Sequence, residues 1–169
     1  MFEKYLIMVH DFKNVIQSGQ TTGFQVNIRI NYYRGVYLSQ VDTLKLIIDG
    51  EEFPVDKMTF SVPEHGPNIP SNRRTYTFAE LAKATTARWF FGDYATLTVS
   101  KPGGLKPGLH TVQLGLFIRN SYRPRVDKEG LYTTTVYGSN RPIGPDGLTH
   151  YGEPPENLAL TTRKMTLVQ

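Results

Sequence analysis

The fold of this chain is decided by the stretch Phe24-Gln25-Val26-Asn27-Ile28-Arg29-Ile30-Asn31. Apolar and polar side chains alternate along it, so one face of the segment is apolar and the other is polar. This period of two is typical of an antiparallel strand that buries only one side. The segment Phe12 to Gln17 comes just before it and Ser18-Gly19-Gln20 offers a turn, so we expect the two segments to form a hairpin.

The same alternation recurs along the rest of the chain. Leu44, Leu46 and Ile48 run into Asp49-Gly50, a pair suited to a type I′ turn because both central residues need a positive φ. The return strand begins near Glu52-Phe53, and Pro54 indicates an edge or a bulge there. Further strands are predicted at Lys4 to Val9, Met58 to Val62, Ala95 to Val99, Val112 to Ile118 and Leu160 to Val168.

One helix is predicted among these strands. Thr77 and Glu80 have the spacing of a capping box, and we expect about two helical turns that end at Thr85-Thr86. Many short strands separated by turns are typical of a sandwich or a barrel. We therefore predict an all-β fold, an antiparallel two-layer β-sandwich with one short helix and a long irregular loop from Tyr122 to Glu156.

Composition limits the classes of function. The 169 residues are 39% hydrophobic and 20% charged, which fits one globular domain over residues 1–169. The absence of cysteine excludes disulfides, cysteine nucleophiles and thiolate metal sites. The net charge of +4 is spread over scattered Lys and Arg residues, which favours a mildly basic surface over a nucleic-acid site. We see no signal peptide and no membrane span, and we expect a cytoplasmic protein.

Two groups of aromatic and basic residues are candidate contact sites. The first, Tyr32, Tyr33, Arg34 and Tyr37, follows the best strand. Tyrosine rings stack on flat or sugar-like ligands and arginine binds oxygen anions, but the same residues could instead close the sandwich edge, with Arg34 bonded to carbonyl groups. The second group and the loop that follows it contain Arg119, Tyr122, Arg123, Arg125, Tyr132, Tyr137 and Tyr151.

No catalytic or metal-binding motif accompanies these groups. The four histidines, His10, His65, His110 and His150, lack the spacing of metal ligands, and His110, at the mouth of a strand, is interpreted as a turn-end or surface residue. No nucleophile elbow, phosphate-binding loop or dinucleotide fingerprint is present. We therefore predict no catalytic residue, no metal site and no cofactor in this chain.

The chain resembles a known family, the β subunits of bacterial C-glycoside deglycosidases. The resemblance spans most of the chain, and its most distinctive part is Tyr32-Tyr33-Arg34-Gly35-Val36-Tyr37-Leu38-Ser39. The other similar stretches come in the same order: Lys4-Tyr5-Leu6-Ile7, Gly23-Phe24, Asp49-Gly50, Thr75-Tyr76-Thr77, Ala87-Arg88-Trp89, Ala95-Thr96-Leu97, Pro102-Gly103-Gly104-Leu105, Arg119-Asn120-Ser121-Tyr122 and Glu129-Gly130-Leu131-Tyr132.

The resemblance implies a small subunit of a heteromeric lyase. Its partner, the α subunit, is expected to resemble sugar-phosphate isomerases, with a (β/α)₈ barrel and a divalent metal, usually Mn²⁺, and a higher hetero-oligomer is expected. The complex would cleave the carbon–carbon bond between a 3-oxo sugar and an aromatic aglycone, as in the catabolism of flavonoid C-glycosides. The resemblance gives this chain no catalytic residue. We expect Arg34 and the long loop to contact the partner or the rim of its active site, and the loop to be mobile without the partner.

Two other functions remain open from the residues alone. Tyr32, Tyr33 and Tyr37 could make a free-standing binding module for sugars or aromatic glycosides. Interleaved aromatic and basic residues could also hold a single-stranded nucleic acid, provided that they lie along one groove. A binding module would bind glycosides alone, whereas a nucleic-acid protein would show steeply salt-dependent binding.

Overall fold

A computed structural model describes residues 3–65, 72–119, 125–126, 132–133, 158 and 160–167. Its single α-helix, α1, covers Phe78–Leu81, and short 3₁₀ turns cover Glu3–Tyr5, Leu38–Gln40 and Val55–Lys57. The strands in chain order are β1 (Lys13–Gln17), β2 (Gln20–Arg29), β3 (Val36–Tyr37), β4 (Val41–Ile48), β5 (Glu51–Phe53), β6 (Met58–Pro63), β7 (Arg73–Thr77), β8 (Arg88–Trp89), β9 (Tyr94–Ser100), β10 (Gly108–Ile118), β11 (Arg125–Val126), β12 (Tyr132–Thr133) and β13 (Thr161–Leu167).

Two antiparallel sheets carry the fold. One has the strand order β1-β2-β9-β6-β7 and the other has the order β13-β10-β4-β5. Both sheets contribute to one apolar cluster, in which the rings of Phe24 and Phe53 meet edge to face with centroids 5.1 Å apart. The alternation along Phe24, Val26 and Ile28 therefore has the predicted cause, because each of these side chains is buried in that cluster. The predicted all-β sandwich is confirmed.

The predicted hairpin turns are present. Asp49 and Gly50 have φ angles of 51° and 87°, as a type I′ turn requires, and they join β4 to β5. Ser18-Gly19 joins β1 to β2 with positive φ at both residues. Pro54 comes directly after β5, which is an edge strand, so its missing N–H removes no ladder hydrogen bond.

The capping box is also present, but the helix behind it is shorter than predicted. The Thr77 side chain accepts from the Glu80 N–H, and the Glu80 carboxylate accepts from the Thr77 N–H at 2.7 Å. The bond from the Thr77 N–H, followed by a second bond from the Thr77 hydroxyl to the same carboxylate, holds the pKa of Glu80 below its ordinary value. Fully buried Leu81 ends α1 after four residues, and Lys83 and Ala84 then donate to carbonyls three residues back. A 3₁₀-type turn thus replaces the predicted second helical turn.

The prediction of a strand over Lys4 to Val9 is wrong. The chain begins with the 3₁₀ turn Glu3–Tyr5 and then makes one isolated bridge, Ile7 to Ile28. Leu6 and Ile7 are consecutive and both are almost fully buried, which a strand with one buried face cannot achieve. The segment therefore covers the part of the β2 edge that β1 does not reach, and it adds no strand to the sheet.

The surface alternative for His110 is wrong, whereas its position near the start of β10 fits the turn-end alternative. Its side chain is buried, its Nδ1 lies 2.6 Å from an oxygen of Asp49, and its Nε2 lies 2.7 Å from the Lys106 carbonyl oxygen. Its ring also packs edge to face on Phe12. The N–H of Thr111 donates to the same carboxylate, and this bond, followed by the His110 contact, lowers the pKa of Asp49.

The predicted irregular loop from Tyr122 to Glu156 lies mostly outside the described residues. The parts that the structure describes form a short antiparallel ladder, β11 with β12, rather than an irregular segment. The expectation that the loop is mobile without a partner concerns residues that are not described. Within the described ranges, no helix has both the length and the apolar character needed to cross a bilayer.

Candidate functional site

One end of the sandwich gathers most of the candidate residues that the structure describes. There β2 ends and β9 begins, with Arg29 paired to Tyr94, and there β3 pairs with β8. β10 also ends there, and the Arg119 N–H that follows it donates to the Gln40 carbonyl at 2.9 Å. We call it the aromatic end and define it as residues 30–40, 62–65, 73–76, 86–94 and 118–119.

Tyr33 and Arg34 lie on the surface of the aromatic end. The Arg34 guanidinium lies over the Tyr33 ring, 5.2 Å from its centroid, and Tyr33 in turn meets Tyr32 at 4.7 Å. Both Tyr33 and Arg34 are exposed, and no described residue accepts a hydrogen bond from Arg34. The alternative in which Arg34 is bonded to carbonyl groups thus finds no acceptor in the described part of the chain.

A second aromatic pair lies beside the first because β3 and β8 are paired. The Arg88 guanidinium lies 5.0 Å from the centroid of the Tyr37 ring and 5.3 Å from that of Phe90. Gly35 allows this approach, since a Cβ there would come within 3.0 Å of the Trp89 carbonyl oxygen. Four aromatic side chains are 37–49% exposed on this end: Tyr33, Tyr37, Phe90 and Phe91.

Arg119 has a different environment from the other candidates. It is half-buried, and its guanidinium donates to the Ser39 carbonyl. The Gln40 side chain links the same two segments, donating to the Arg119 carbonyl at 3.1 Å and accepting from the Tyr37 N–H at 2.8 Å. These contacts hold the end of β10 against the segment that carries Tyr37. Arg119 therefore stabilises the aromatic end from a half-buried position.

A histidine and an aspartate that were not predicted as site residues also meet at the aromatic end. His65 Nε2 lies 2.6 Å from an oxygen of Asp93, and the imidazole packs edge to face on Phe90 with centroids 4.7 Å apart. Asp93 belongs to a turn in which its N–H donates to the Phe90 carbonyl at 3.0 Å. The fully buried Trp89 supports that turn, because its indole N–H donates to the Asp93 carbonyl at 3.3 Å.

His65 lines a half-open cleft of about 260 Å³ between the β6–β7 hairpin and the segment around β8. Asp93 is not among the described residues that line the cleft. Glu64 and Arg74 form an ion pair of 3.9 Å at its wall. The described residues that line it are Val62, Pro63, Glu64, His65, Arg74, Tyr76, Thr86, Ala87, Arg88 and Phe90.

The described residues offer no ready metal centre. Among them, no three histidine, aspartate or glutamate side chains converge closely enough to hold an ion. A single imidazole–carboxylate pair provides too few ligands for a protein-held divalent metal. The donor set on these described residues therefore does not fit a divalent metal.

The structure thus brings Tyr32, Tyr33, Arg34, Tyr37 and Arg119 to one end. Tyr122, Arg123 and Tyr137 lie outside the described residues, and of Tyr132 only the backbone of β12 is described. Several residues of this end were not predicted from the sequence, although the apolar run Trp89-Phe90-Phe91 before Gly92 was a usable signal. The missed residues are His65, Arg88, Phe90, Phe91 and Asp93.

Comparison with known proteins gives a consistent result. A family model described as C-glycoside deglycosidase beta subunit matches residues 2–122, which include the whole aromatic end. The C-glycoside deglycosidase beta subunit of Eubacterium cellulosolvens is 33% identical over 130 residues, covering 76% of this chain and 82% of that protein. The 3′-dehydrocarminate deglycosidase beta subunit of a Microbacterium species is 31% identical over 108 residues, covering 63% of this chain and 74% of that protein.

Proposed function

The chain belongs to the family of C-glycoside deglycosidase β subunits, and we propose that it is the small subunit of a lyase that cleaves the carbon–carbon bond between a 3-oxo sugar and an aromatic aglycone. The larger α subunit would hold the divalent metal, expected to be Mn²⁺, in a sugar-phosphate-isomerase-like (β/α)₈ barrel. A cytoplasmic location and a single domain over the whole chain are parts of the same proposal.

The observation that carries the docking part of this proposal is the exposure of the aromatic end. Tyr33 and Tyr37 hold their rings at the surface, each beneath an arginine guanidinium. Soluble proteins seldom leave several large aromatic side chains together in water, and aromatic residues and arginine are enriched at protein interfaces. We infer that the α subunit covers this end, with Arg34 and Arg88 near the centre of the contact.

The chemistry supports a division of labour between the subunits. A C-glycosidic bond has no leaving oxygen that an acid could protonate. A ketone at C3 makes the hydrogen on C2 acidic, so that a base can remove it and the aryl group can depart by elimination. The described residues do not fit a metal, so we assign no metal-dependent step to this chain. Its part is to complete the aglycone side of a site centred on the partner.

The test is reconstitution with the product of the neighbouring gene. The two chains should co-purify, and cleavage of a 3-oxo C-glucoside of a flavonoid should require both. Tyr37→Ala and Arg88→Ala should weaken assembly, whereas Leu109→Ala, an exposed apolar residue on β10 outside the aromatic end, should not. Cleavage by this chain alone, or no association with the partner, would exclude the proposal.

A free-standing glycoside-binding module is the second candidate, and the exposed Tyr33 and Tyr37 favour it. Calorimetry separates the two functions. The isolated chain should bind an aromatic C-glycoside with no measurable heat if it is a subunit, and with a saturable signal if it is a module.

A further inference from the structure

The elimination proposed above needs a proton donor as well as a base. When the C2–H electron pair becomes the double bond between C1 and C2, the bond between C1 and the aryl carbon breaks. Its electron pair stays on the aryl carbon, which must take up one proton for the aglycone to leave as a neutral arene. The base acts at the sugar and the donor acts at the aryl ring, so the two groups stand on different parts of the substrate.

The His65 cleft combines polar groups with one partly exposed aromatic side chain. Glu64, Arg74 and Arg88 belong to its lining together with Phe90, and the Arg88 guanidinium lies over the Phe90 ring. Its volume of about 260 Å³ is below the range usual for whole drug-sized ligands, so it suits one part of a substrate rather than a complete C-glycoside. The half-open form leaves the other side to be closed by a second surface.

His65 is placed in this cleft as a proton-transfer group would be. Asp93 engages Nε2 at 2.6 Å, which fixes the orientation of the ring and leaves Nδ1 to act on a ligand. No described residue forms a hydrogen bond with Nδ1. General acids and bases are commonly oriented in this way, with a carboxylate on a turn holding the second nitrogen of a histidine.

We propose that His65, held by Asp93, is the general acid that protonates the departing aryl carbon in the assembled enzyme. This inference rests on the function proposed above. The proton passes from Nδ1 of the imidazolium to the aryl carbon as the C1–aryl bond breaks. The neutral imidazole regains a proton from water, and the base that took the C2 proton returns it to water, so the products have the composition of the substrate.

The test compares variants of the complete complex on a 3-oxo C-aryl glucoside. His65→Gln keeps a polar group beside Asp93 but cannot carry the proton, and kcat should fall at least about 100-fold with little change in KM. The wild-type rate should decline at alkaline pH as the acid loses its proton, and the variant should lose that limb of the profile. The charged groups that also bear on this profile are Glu64, Arg74 and Arg88, which line the cleft, and Asp93, which contacts His65.

Two further variants separate catalysis from structure. Asp93→Asn should give a smaller loss of kcat and a shifted alkaline limb, because Asp93 acts as a positioning residue through His65. His10→Gln, at an exposed histidine outside the cleft, should match the wild type in rate and profile. The proposal requires that the His65→Gln complex assembles normally, as measured by gel filtration.

The failure of this inference is distinguishable from the failure of the proposed function. A His65→Gln complex with wild-type kcat and pH profile would refute the assignment of the acid while leaving the lyase function intact. Loss of assembly in that variant would place His65 in docking and would also refute the assignment. A wild-type complex with no cleavage activity would overturn both.

Discussion

Replacing Trp89 by phenylalanine tests how the aromatic end is held in place. Trp89 has no solvent exposure, its ring meets Phe60 edge to face at 5.2 Å, and its indole N–H donates to the Asp93 carbonyl. Phenylalanine keeps the edge-to-face contact but removes the hydrogen bond and part of the buried ring. The substitution therefore probes one support of the turn from Phe90 to Asp93 without emptying the core.

The expected magnitude follows from these contacts. The smaller ring gives up several tens of Å² of buried apolar surface, about 1 kcal/mol at the usual coefficient. The lost hydrogen bond contributes about 1 kcal/mol more. With the small cavity that remains, we expect Trp89→Phe to lower the free energy of unfolding by roughly 2–3 kcal/mol.

Urea denaturation of the isolated chain, followed by circular dichroism, measures this change. The midpoint should fall while the slope with denaturant stays constant, because the same surface is exposed on unfolding. Phe91→Leu is the matched control, since Phe91 is a neighbouring aromatic residue at the surface and should change stability by less than about 0.5 kcal/mol. Equal stability of Trp89→Phe and the wild type would refute the assignment of Trp89 as the support of the turn.

Three other positions, Gly23, Asp49 and Arg34, give substitutions with defined outcomes. Gly23→Ala would place a Cβ 1.9 Å from the Val99 carbonyl oxygen, so it should destabilise the chain by at least about 2 kcal/mol in urea denaturation. Gly92→Ala, whose added Cβ has no described atom within 4 Å, should have little effect. The pKa of Asp49 lies below its ordinary value of 3.8, so the ionised carboxylate stabilises the folded chain above that pH. This stabilisation is lost as the pH falls through the lower pKa of the folded state. Asparagine tolerates the positive φ, so Asp49→Asn should lower the melting temperature at pH 7 and make the melting temperature depend less on pH below about 4. Arg34→Ala should keep the stability of the isolated chain within about 0.5 kcal/mol yet weaken assembly or raise KM, and a loss of several kcal/mol would instead make Arg34 a structural residue.

Most of the sandwich was predictable because its signals are local. The alternation in β2 and the Asp49-Gly50 pair depend on neighbouring residues only, and both predictions are confirmed. The segment at Leu6-Ile7 was mispredicted because its burial depends on the free edge of β2, which is formed by residues more than a dozen positions away.

The candidate site was predictable only where its residues are adjacent in sequence. The first aromatic-basic group is contiguous, so Tyr33, Arg34 and Tyr37 could be chosen by inspection. His65 and Asp93 are 28 residues apart, and His110 and Asp49 are 61 apart. Such pairs depend on the register of strands from different hairpins, which no local pattern in one sequence determines.

The central claim is that the aromatic end docks on a partner subunit, and hydrogen exchange on the free chain and on the reconstituted complex tests it most directly. The comparison segments at the other end of the sandwich are the Asp49-Gly50 turn and the turn before Leu105. We predict that residues 33–37 and 88–93 gain protection in the complex while those two turns stay unchanged. Gained protection at the turns alone, or equal exchange of residues 33–37 and 88–93 in both states, would contradict the account.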